Sequence, residues 1–220
     1  MDIKVYVADV GQLMDEKLFQ HLYKCVSAGR REKVDRMRLD KDKRLSLGAG
    51  ALLESALAAE GVEDCTMVST QNAKPCLAHR NDIHFNISHS GTKVMCAISD
   101  CDIGCDVEQI TNIDMEIARR FFFSEEYEAL MKCRDIDTRN KLFFRYWTLK
   151  ESFMKATGLG FTLPLNQFCV ILGGSKASVK QNVDNRSYCF REFELDDGYK
   201  YAICSVDKPV ERTRIETIVL

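Results

Sequence analysis

Three strand-like segments follow one another in residues 83–108, and this run constrains the fold more than any other feature of the chain. IHFNIS (83–88) and VMCAIS (94–99) are joined by the turn HSGT, and IGCDVE (103–108) follows after another short connection. Runs rich in β-branched and aromatic residues, bounded by Gly, Ser and Asp, are typical of strands. The sequence therefore predicts a β-sheet in the middle of the chain.

Helical and strand-like patterns lie on both sides of this run. The helical patterns are Leu13–Val26, Arg44–Glu60, 113–122, 125–132 and a long segment from Arg139 to Gly158. The other strand-like segments are 3–10, 168–172, 177–181, 189–195, 199–206 and 216–220. Each half of the chain contains both types, with a seam near 100–102. We therefore predict an α+β protein with two parts, residues 1–101 and 102–220.

Composition and charge argue against several classes of protein. The 220 residues carry a formal net charge of −2, which argues against a general nucleic-acid binder. No segment approaches the roughly 20 apolar residues that span a bilayer, and the N-terminus MDIKVYVADV lacks the pattern of a signal peptide. The ten cysteines form no CxxC pair, which makes a zinc site a poor hypothesis. These features predict a cytoplasmic protein with reduced, mostly buried cysteines.

Two acidic residues share one face of the third strand. Because side chains alternate along a strand, Asp106 and Glu108 point the same way, with their Cα atoms about 6.6 Å apart and Gly104 beside them. Carboxylate oxygens without histidine or thiolate suit a hard cation such as Mg²⁺. The alternative is an amphipathic strand whose polar face meets water, and these residues alone leave it open.

The long helix carries a third acidic residue among apolar neighbours. Glu151 shares a helical row with Phe144, Trp147 and Met154, and Lys155 lies one turn further on. Either Glu151 forms a salt bridge at the edge of the core, or it is held for a cation. Together with the two strand acids it would complete a three-carboxylate Mg²⁺ site. Such a site suggests a phosphate-bearing substrate, because Mg²⁺ commonly keeps phosphates among its ligands.

Two segments could hold such a phosphate. Residues 30–44 contain eight basic and four acidic residues, a local excess of four positive charges. The turn NISHSG (86–91) offers backbone N–H groups together with the side chain of His89. The alternatives are a solvated helix with internal ion pairs and a structural histidine.

Four segments occur together in one known family. They are KP at 74–75, FNISHSG at 85–91, IGCDVE at 103–108 and W-x-x-KES-x-x-K at 147–155. In this order and spacing they resemble the 4′-phosphopantetheinyl transferases of the surfactin-synthetase activator type. RREK at 30–33 and FFSEEYEAL at 122–130 extend the resemblance over nearly the whole chain.

The resemblance implies two pseudo-twofold-related α+β halves, each a small antiparallel sheet packed with helices, and an active site in the cleft between them. The enzyme would transfer the 4′-phosphopantetheine arm of coenzyme A to a serine of an apo acyl or peptidyl carrier protein. 3′,5′-adenosine bisphosphate would leave. Mg²⁺ would be the cofactor and coenzyme A the co-substrate. Since one chain supplies both halves of the cleft, we expect a monomer.

The family's functional positions match this sequence residue by residue. The acids that match the Mg²⁺ ligands are Asp106, Glu108 and Glu151. The basic residues that match those around the coenzyme A phosphates are Arg30, Lys33, Arg44, His89 and Lys155, with a gap in the match at Arg30 and Lys33. The residues that match the wall around the adenine are Lys74, Pro75 and Ser88. Cys76 stands where many relatives have an aromatic residue, which would alter the packing near the adenine.

The chemistry implied by the resemblance gives these residues roles. Attack on the β-phosphorus of the pyrophosphate develops negative charge, which Mg²⁺ and Lys155 can stabilise. A base must remove the proton of the attacking serine. Glu151 is the first candidate for this base, and Glu126 is the competing one.

Residues 111–123 are the expected docking segment for the carrier protein. Carrier proteins of this class are generally acidic helical bundles, so the docking surface should be basic at its rim and apolar at its centre. The helical spacing predicts an inward stripe of Ile113, Ile117 and Phe121, and a second stripe of Met115, Arg119 and Phe122 with Arg120 beside it. The alternative is that both arginines only favour the helix C-terminus.

Two other functions compete with this interpretation. A Mg²⁺-dependent phosphohydrolase of a nucleotide-like substrate would need the same acids and basic residues but no carrier protein. A noncatalytic carrier-binding relative would have no use for three converging acids, which are costly to bury. The sequence does not specify whether the carrier serves fatty acid, polyketide or nonribosomal peptide synthesis.

Overall fold

A computed structural model describes residues 1–174 and 176–220. The first part of the chain forms β1 (Lys4–Asp9), α1 (Glu16–Cys25), α2 (Ala28–Asp35), α3 (Asp40–Ala59), β2 (Met67–Ser69), β3 (Pro75–Leu77), β4 (His84–Ser90) and β5 (Lys93–Ser99). The second part forms β6 (Ile103–Gln109), α4 (Met115–Phe121), α5 (Ser124–Met131), α6 (Ile136–Thr157), β7 (Cys169–Gly173), β8 (Lys176–Lys180), β9 (Tyr188–Phe193), β10 (Tyr199–Val206) and β11 (Arg214–Ile218). The predicted α+β class is confirmed.

Two helix ends show how local chemistry sets the element boundaries. The helix predicted at Leu13–Val26 is interrupted, because Gly11–Met14 forms a 3-10 helix and α1 begins only after Asp15. Asp15 has an extended backbone, and its side chain accepts hydrogen bonds from two backbone N–H groups of the first turn, as an N-cap does. By contrast α6 ends where predicted, since Gly158 has a φ of 71°, a left-handed conformation that suits glycine.

Two sheets form the centre of the molecule. Their strand orders are β11-β1-β5-β4 and β6-β10-β9, and the hairpins β2-β3 and β7-β8 form separate two-stranded sheets. β1 pairs with β11 in parallel, whereas it pairs with β5 in the antiparallel direction. The first sheet is therefore mixed, and its edge strand β11 comes from the end of the chain. Strand pairing thus crosses the expected division into residues 1–101 and 102–220.

The buried side chains form three apolar layers. α3 packs Leu47 and Leu52 against the first sheet, and α6 packs Leu149 and Phe153 against the second. The third layer lies between the sheets and includes Val5, Val7, Met95, Ala97, Ile103, Cys105, Val107 and Ile203. The alternation predicted for β6 is confirmed, because Ile103, Cys105 and Val107 face this layer. Its even-numbered residues, the two acids among them, therefore face α6.

Within the two described ranges, no helix has the length and apolar character that crossing a bilayer requires.

Candidate active site

Strand β6 and helix α6 approach each other at the backbone of Gly104. A Cβ atom at this position would lie 2.0 Å from the carbonyl oxygen of Ser152 and 2.5 Å from the backbone nitrogen of Ala156. Only a residue without a side chain permits this contact. The backbone of helix α6 thus fills the space beside Gly104, next to the acids. Side chains of β6 and α6 converge on either side of the contact.

Asp106 is almost completely buried at this junction, with 2% of its surface exposed. Its Oδ1 accepts hydrogen bonds from Ser88 Oγ and Lys155 Nζ, each at 2.7 Å. Its Oδ2 is buried and has no hydrogen-bond partner among the described residues. Burial raises the pKa of Asp106, against the opposing effects of Lys155 and Ser88. Because a buried acceptor without a donor is costly, Oδ2 is suited to a ligand from outside the chain.

Glu108 and Glu151 are half-buried beside Asp106. Glu108 Oε2 accepts a hydrogen bond from Ser90 Oγ at 2.6 Å. Burial and then the negative charge of Asp106 raise the pKa of Glu108 to about 7. The same two causes raise the pKa of Glu151. The carboxylates therefore repel one another across the β6–α6 junction.

This acid set fits an oxygen-coordinated cation. Its donors are carboxylate oxygens, one of them buried without a partner, and burial raises the pKa of all three groups. A hard divalent cation would relieve both costs. Within residues 1–174 and 176–220 no three Asp, Glu, His or Cys side chains already form a metal cluster. Instead, the ammonium group of Lys155 forms an ion pair with Asp106 Oδ1.

Lys155 extends from α6 to both β4 and β6. Its Nζ donates to Asp106 Oδ1 at 2.7 Å, to Ser88 Oγ at 3.0 Å and to the carbonyl oxygen of Cys105 at 3.1 Å. Burial alone would lower the pKa of Lys155, but the negative charge of Asp106, the first of several opposing effects, helps to raise it above its ordinary value. Lys155 therefore holds a positive charge beside the acids.

Basic side chains gather on the other side of β4. Arg30, Lys33 and His89 line a cavity of about 160 Å³ between α2, α3 and β4. The Arg30 side chain lies across Gly50 of α3, where a Cβ atom would be 2.2 Å from Arg30 Nε. Loss of water around the His89 ring, and then the positive charges of Lys155 and Lys33, lower the pKa of His89. This surplus of positive charge suits an anion.

A larger cleft of about 680 Å³ adjoins this cavity. Arg30 and Lys33 line both spaces, and Pro75, Phe85 and Ile87 form part of the apolar wall of the larger one. The volume lies in the range of small-molecule and cofactor sites. The acidic residues of the cleft lining are Glu54, Glu63 and Asp64. A phosphorylated ligand would therefore place its phosphate at the basic end, which the cleft shares with the cavity, and an apolar or aromatic part against the apolar wall.

Three of the predicted coenzyme A residues have other surroundings. Ser88 is buried and bonds to the acid set, and among the described residues it is not part of the lining of the basic cavity or the larger cleft. Lys74 Nζ donates to the backbone carbonyl oxygens of Ile103 at 3.1 Å and Lys155 at 2.8 Å, which ties β6 to α6. Arg44 is half-buried on α3. In the part of the chain that the structure describes, Arg44 does not line the basic cavity or the larger cleft.

Glu126 has the surroundings of a structural residue and not those of a general base. It is 1% exposed, and its two oxygens accept hydrogen bonds from Lys150 Nζ at 2.8 and 2.7 Å. They also accept from the backbone N–H groups of Val170 at 2.6 Å and Phe123 at 2.9 Å. A buried carboxylate that accepts four hydrogen bonds from three donor groups cannot reach the hydroxyl of an external protein. These contacts favour a structural role for Glu126 and leave Glu151 as the candidate base.

Helix α4 presents a different surface from the one predicted. Phe121, expected to point inward, is 39% exposed, and its ring centre lies 5.2 Å from the Arg120 guanidinium. Phe122, expected in the second stripe, is 4% exposed. The reason is that α4 ends at Phe121 and Phe122 is already extended, so helical spacing does not apply to it. Ala118 is the fully buried residue of this short helix. Ile113 and Ile117, expected to point inward, and Met115 of the second stripe are partly buried against the same core.

Three residues have roles that were not predicted from the sequence, namely Asn86, Ser90 and Lys150. Asn86 Oδ1 accepts a hydrogen bond from the backbone N–H of Cys105 at 2.9 Å. Asn86, Ser88 and Ser90 alternate along β4, and all three side chains bond to β6. This period-two polar pattern was a readable signal in the sequence. Lys150 gave no such signal, because a lysine on a helix is expected at the surface.

Two family models match the chain. The model described as the 4′-phosphopantetheinyl transferase superfamily matches residues 102–204, and the one described as 4′-phosphopantetheinyl transferase, N-terminal, matches residues 14–101. The 4′-phosphopantetheinyl transferase Sfp of Bacillus subtilis (strain 168) is 34% identical over 219 residues, which cover 97% of each chain. The chain belongs to the 4′-phosphopantetheinyl transferase superfamily.

Other relatives agree with this membership. The 4′-phosphopantetheinyl transferase ffp of Bacillus subtilis is 32% identical over 219 residues, with 97% of each chain covered. The 4′-phosphopantetheinyl transferase psf-1 of Bacillus pumilus is 30% identical over 223 residues, covering 98% of this chain and 95% of that one. This 4′-phosphopantetheinyl transferase moves phosphopantetheine from coenzyme A to carrier proteins, as predicted. None of the matches supports a phosphohydrolase.

Proposed function

We propose that transfer takes place where the acids of β6 and α6 meet strand β4, with coenzyme A bound along β4. One observation carries the proposal. Lys155 connects Asp106 to Ser88 through its ammonium group, and the next residue of β4, His89, lines the basic cavity. An acid set for a metal and a basic cavity for a phosphate therefore lie on the two sides of one strand.

Asp106, Glu108 and Glu151 would hold a Mg²⁺ ion. The unpartnered Asp106 Oδ2 and the raised pKa values of the acids support this assignment. When bound, Mg²⁺ would supply positive charge to the phosphoryl oxygens.

The basic cavity would take the 3′-phosphate of coenzyme A through Arg30, Lys33 and His89. The adenosine would lie in the larger cleft, against Pro75. Lys74 and Ser88 would hold the site in shape through their hydrogen bonds to β6 and α6. Arg44 would add positive potential from α3.

The carrier serine would attack the β-phosphorus of coenzyme A. The bond between that phosphorus and the oxygen of 3′,5′-adenosine bisphosphate breaks, and the leaving group takes the bonding electrons. Glu151 would accept the serine proton. Lys155 stabilises the charge that develops on the leaving phosphate.

One chain supplies both sides of this site, so the enzyme would act as a monomer. All ten cysteines are free, which supports a reducing compartment such as the cytoplasm.

Mass spectrometry of apo carrier proteins incubated with the enzyme, coenzyme A and Mg²⁺ tests the proposal. We expect one added phosphopantetheine arm per carrier, and no addition when the acceptor serine is replaced by alanine. Asp106→Ala should lower kcat/KM by about a hundredfold, on the scale of lost electrostatic stabilisation. Glu16→Ala, which removes an exposed acid on α1, is the matched control. Full activity of Asp106→Ala in EDTA would contradict the metal role, and cleavage of coenzyme A without a carrier would support hydrolysis instead.

A further inference from the structure

Side chains of β4 form hydrogen bonds to the edge of strand β6 that does not pair with β10. β6 is an edge strand of the second sheet, and β4 is an edge strand of the first. Asn86 of β4 binds the backbone N–H of Cys105, and Ser90 Oγ accepts a hydrogen bond from the backbone N–H of Gln109 at 3.2 Å. The first half of the chain therefore fixes the position of the strand that carries the acids.

Ser90 also acts on one of these acids directly. Its Oγ donates to Glu108 Oε2 at 2.6 Å while it accepts from Gln109. With its one proton and one of its lone pairs used in this way, the hydroxyl cannot rotate freely. Among the described residues no hydrogen bond reaches Glu108 Oε1. One oxygen of Glu108 is thus held, and the other is left for a ligand.

We propose that Ser90 is a positioning residue for Glu108 and sets the affinity of the acid set for a divalent cation. This inference rests on the metal site proposed above. Residues that orient metal-binding carboxylates typically change metal affinity by 10–100-fold when they are removed. Ser90 is suited to this role because it holds Glu108 from a strand of the other half of the chain.

A titration of the full chain with Mn²⁺ tests this inference without using activity. Electron paramagnetic resonance measures the bound Mn²⁺, with and without coenzyme A. Ser90→Ala should weaken Mn²⁺ binding about 10–100-fold, and Ser90→Thr, which keeps the hydroxyl, should restore it. Ser205→Ala removes a buried hydroxyl of β10 that donates to the backbone of Lys208, so it should leave the affinity unchanged. Thermal unfolding shows whether each variant is folded.

A double variant separates positioning from a general structural effect. If Ser90 acts through Glu108, then Ser90→Ala should cause no further loss of affinity in a Glu108→Gln background. Equal Mn²⁺ affinities of the wild type and Ser90→Ala would overturn the inference and leave the metal site intact. An undiminished loss in the Glu108→Gln background would also overturn it. A wild-type chain that binds no Mn²⁺ under either condition would refute the metal site itself, and this inference with it.

Discussion

The side chains of strand β4 point into two parts of the proposed active site. His89 lines the basic cavity, whereas Ser88 and Ser90 bond to the acids of β6. Consecutive residues of a strand point to opposite faces and rise only about 3.3 Å. A single strand can therefore bring a phosphate pocket and an acid set within the reach of one pyrophosphate-containing substrate.

The pKa of His89 should rise when coenzyme A binds. In the free protein, loss of water and the positive charges of Lys155 and Lys33 lower it. A phosphate in the cavity favours the imidazolium form, so by linkage coenzyme A should bind more tightly as the pH falls through the titration of His89. An NMR titration of the four histidine rings measures the shift. Coenzyme A without its 3′-phosphate should give a smaller one, and an unchanged His89 pKa would contradict this placement of the phosphate.

Replacing Gly104 should separate β6 from α6. A Cβ atom there would lie 2.0 Å from the backbone of Ser152, which cannot move without shifting the helix that carries Glu151. Gly104→Ala should lower the free energy of unfolding by about 1–3 kcal/mol, the usual range for overpacking, and should also lower kcat. Urea unfolding and steady-state kinetics measure both effects. Gly29→Ala is the control for the unfolding measurement, because no atom lies within 4 Å of the added methyl group. If both variants were equally stable, the close contact would not matter.

At the scale of elements, Lys150, the residue before Glu151, connects α6 to its neighbouring elements. Lys150 is fully buried and bonds to Glu126 of α5 and, at 2.8 Å, to the carbonyl oxygen of Phe168 just before β7. Its Nζ also lies 4.3 Å from the centre of the Phe168 ring. One ion pair thus joins three elements around the helix that carries the proposed base.

Breaking this ion pair from one side should destabilise the fold strongly. Lys150→Met leaves the Glu126 carboxylate buried without its partner, which should cost about 3–5 kcal/mol of unfolding free energy. The double variant Lys150→Met/Glu126→Gln removes both charges, keeps a side-chain oxygen that can accept from the surrounding backbone N–H groups, and should recover part of that loss. Denaturant titrations of the two variants measure the difference. A single variant as stable as the wild type would show that the pair has no structural role.

Helix α4 should contribute to carrier docking through Arg120 and the exposed Phe121. An acidic carrier would meet a positive charge beside an exposed aromatic ring. Arg120→Glu should lower kcat/KM for the carrier most at low ionic strength, because salt screens exposed charges, and should leave the KM for coenzyme A unchanged. Arg212→Glu, the same charge change in an exposed turn before β11, is the control. If kcat/KM at low salt were the same as for the wild type, α4 would not be the docking surface.

At the scale of the whole molecule, polar side-chain contacts and the pairing of one strand join residues 1–101 to residues 102–220. Asp102 binds His84 of the first half and Arg186 of the second, each at 3.1 Å. Asp100 binds both the N-terminal ammonium group and Lys208. β11 adds the end of the chain to the first sheet. The cleft is therefore fixed by contacts between residues that are distant in sequence.

These contacts should make the protein sensitive to acid. Hydrogen bonds from Lys208 and the N-terminus lower the pKa of Asp100, and the hydrogen bond to His84 lowers that of Asp102. A carboxylate whose pKa is lower in the folded state than in the unfolded state stabilises the fold at pH values above its unfolded pKa, near 3.8. That stabilisation decreases as the pH falls below 3.8 and is lost once the pH has fallen through the folded-state pKa. Urea unfolding at pH 6 and pH 3 should show the loss. Asp102→Asn should show a smaller one, and the same pH dependence in that variant would exclude Asp102 as a source.

The sequence by itself determined the features that depend on local backbone geometry. Alternation along β6 placed Asp106 and Glu108 on one face, helical spacing placed Lys155 one turn after Glu151, and the left-handed preference of glycine ended α6 at Gly158. Each of these follows from the periodicity of a strand or helix over a few residues. The motifs also carried enough information to identify the family.

Only the tertiary structure decided which polar groups meet across the chain. From the sequence Glu126 could be a base, but in the structure Lys150 and two backbone N–H groups donate hydrogen bonds to both of its oxygens. Phe121 and Phe122 exchanged their expected exposure because α4 ends between them, and Ser90 became relevant only because β4 lies beside β6. Burial and hydrogen bonding depend on neighbours that are distant in sequence, so no local pattern of residues specifies them.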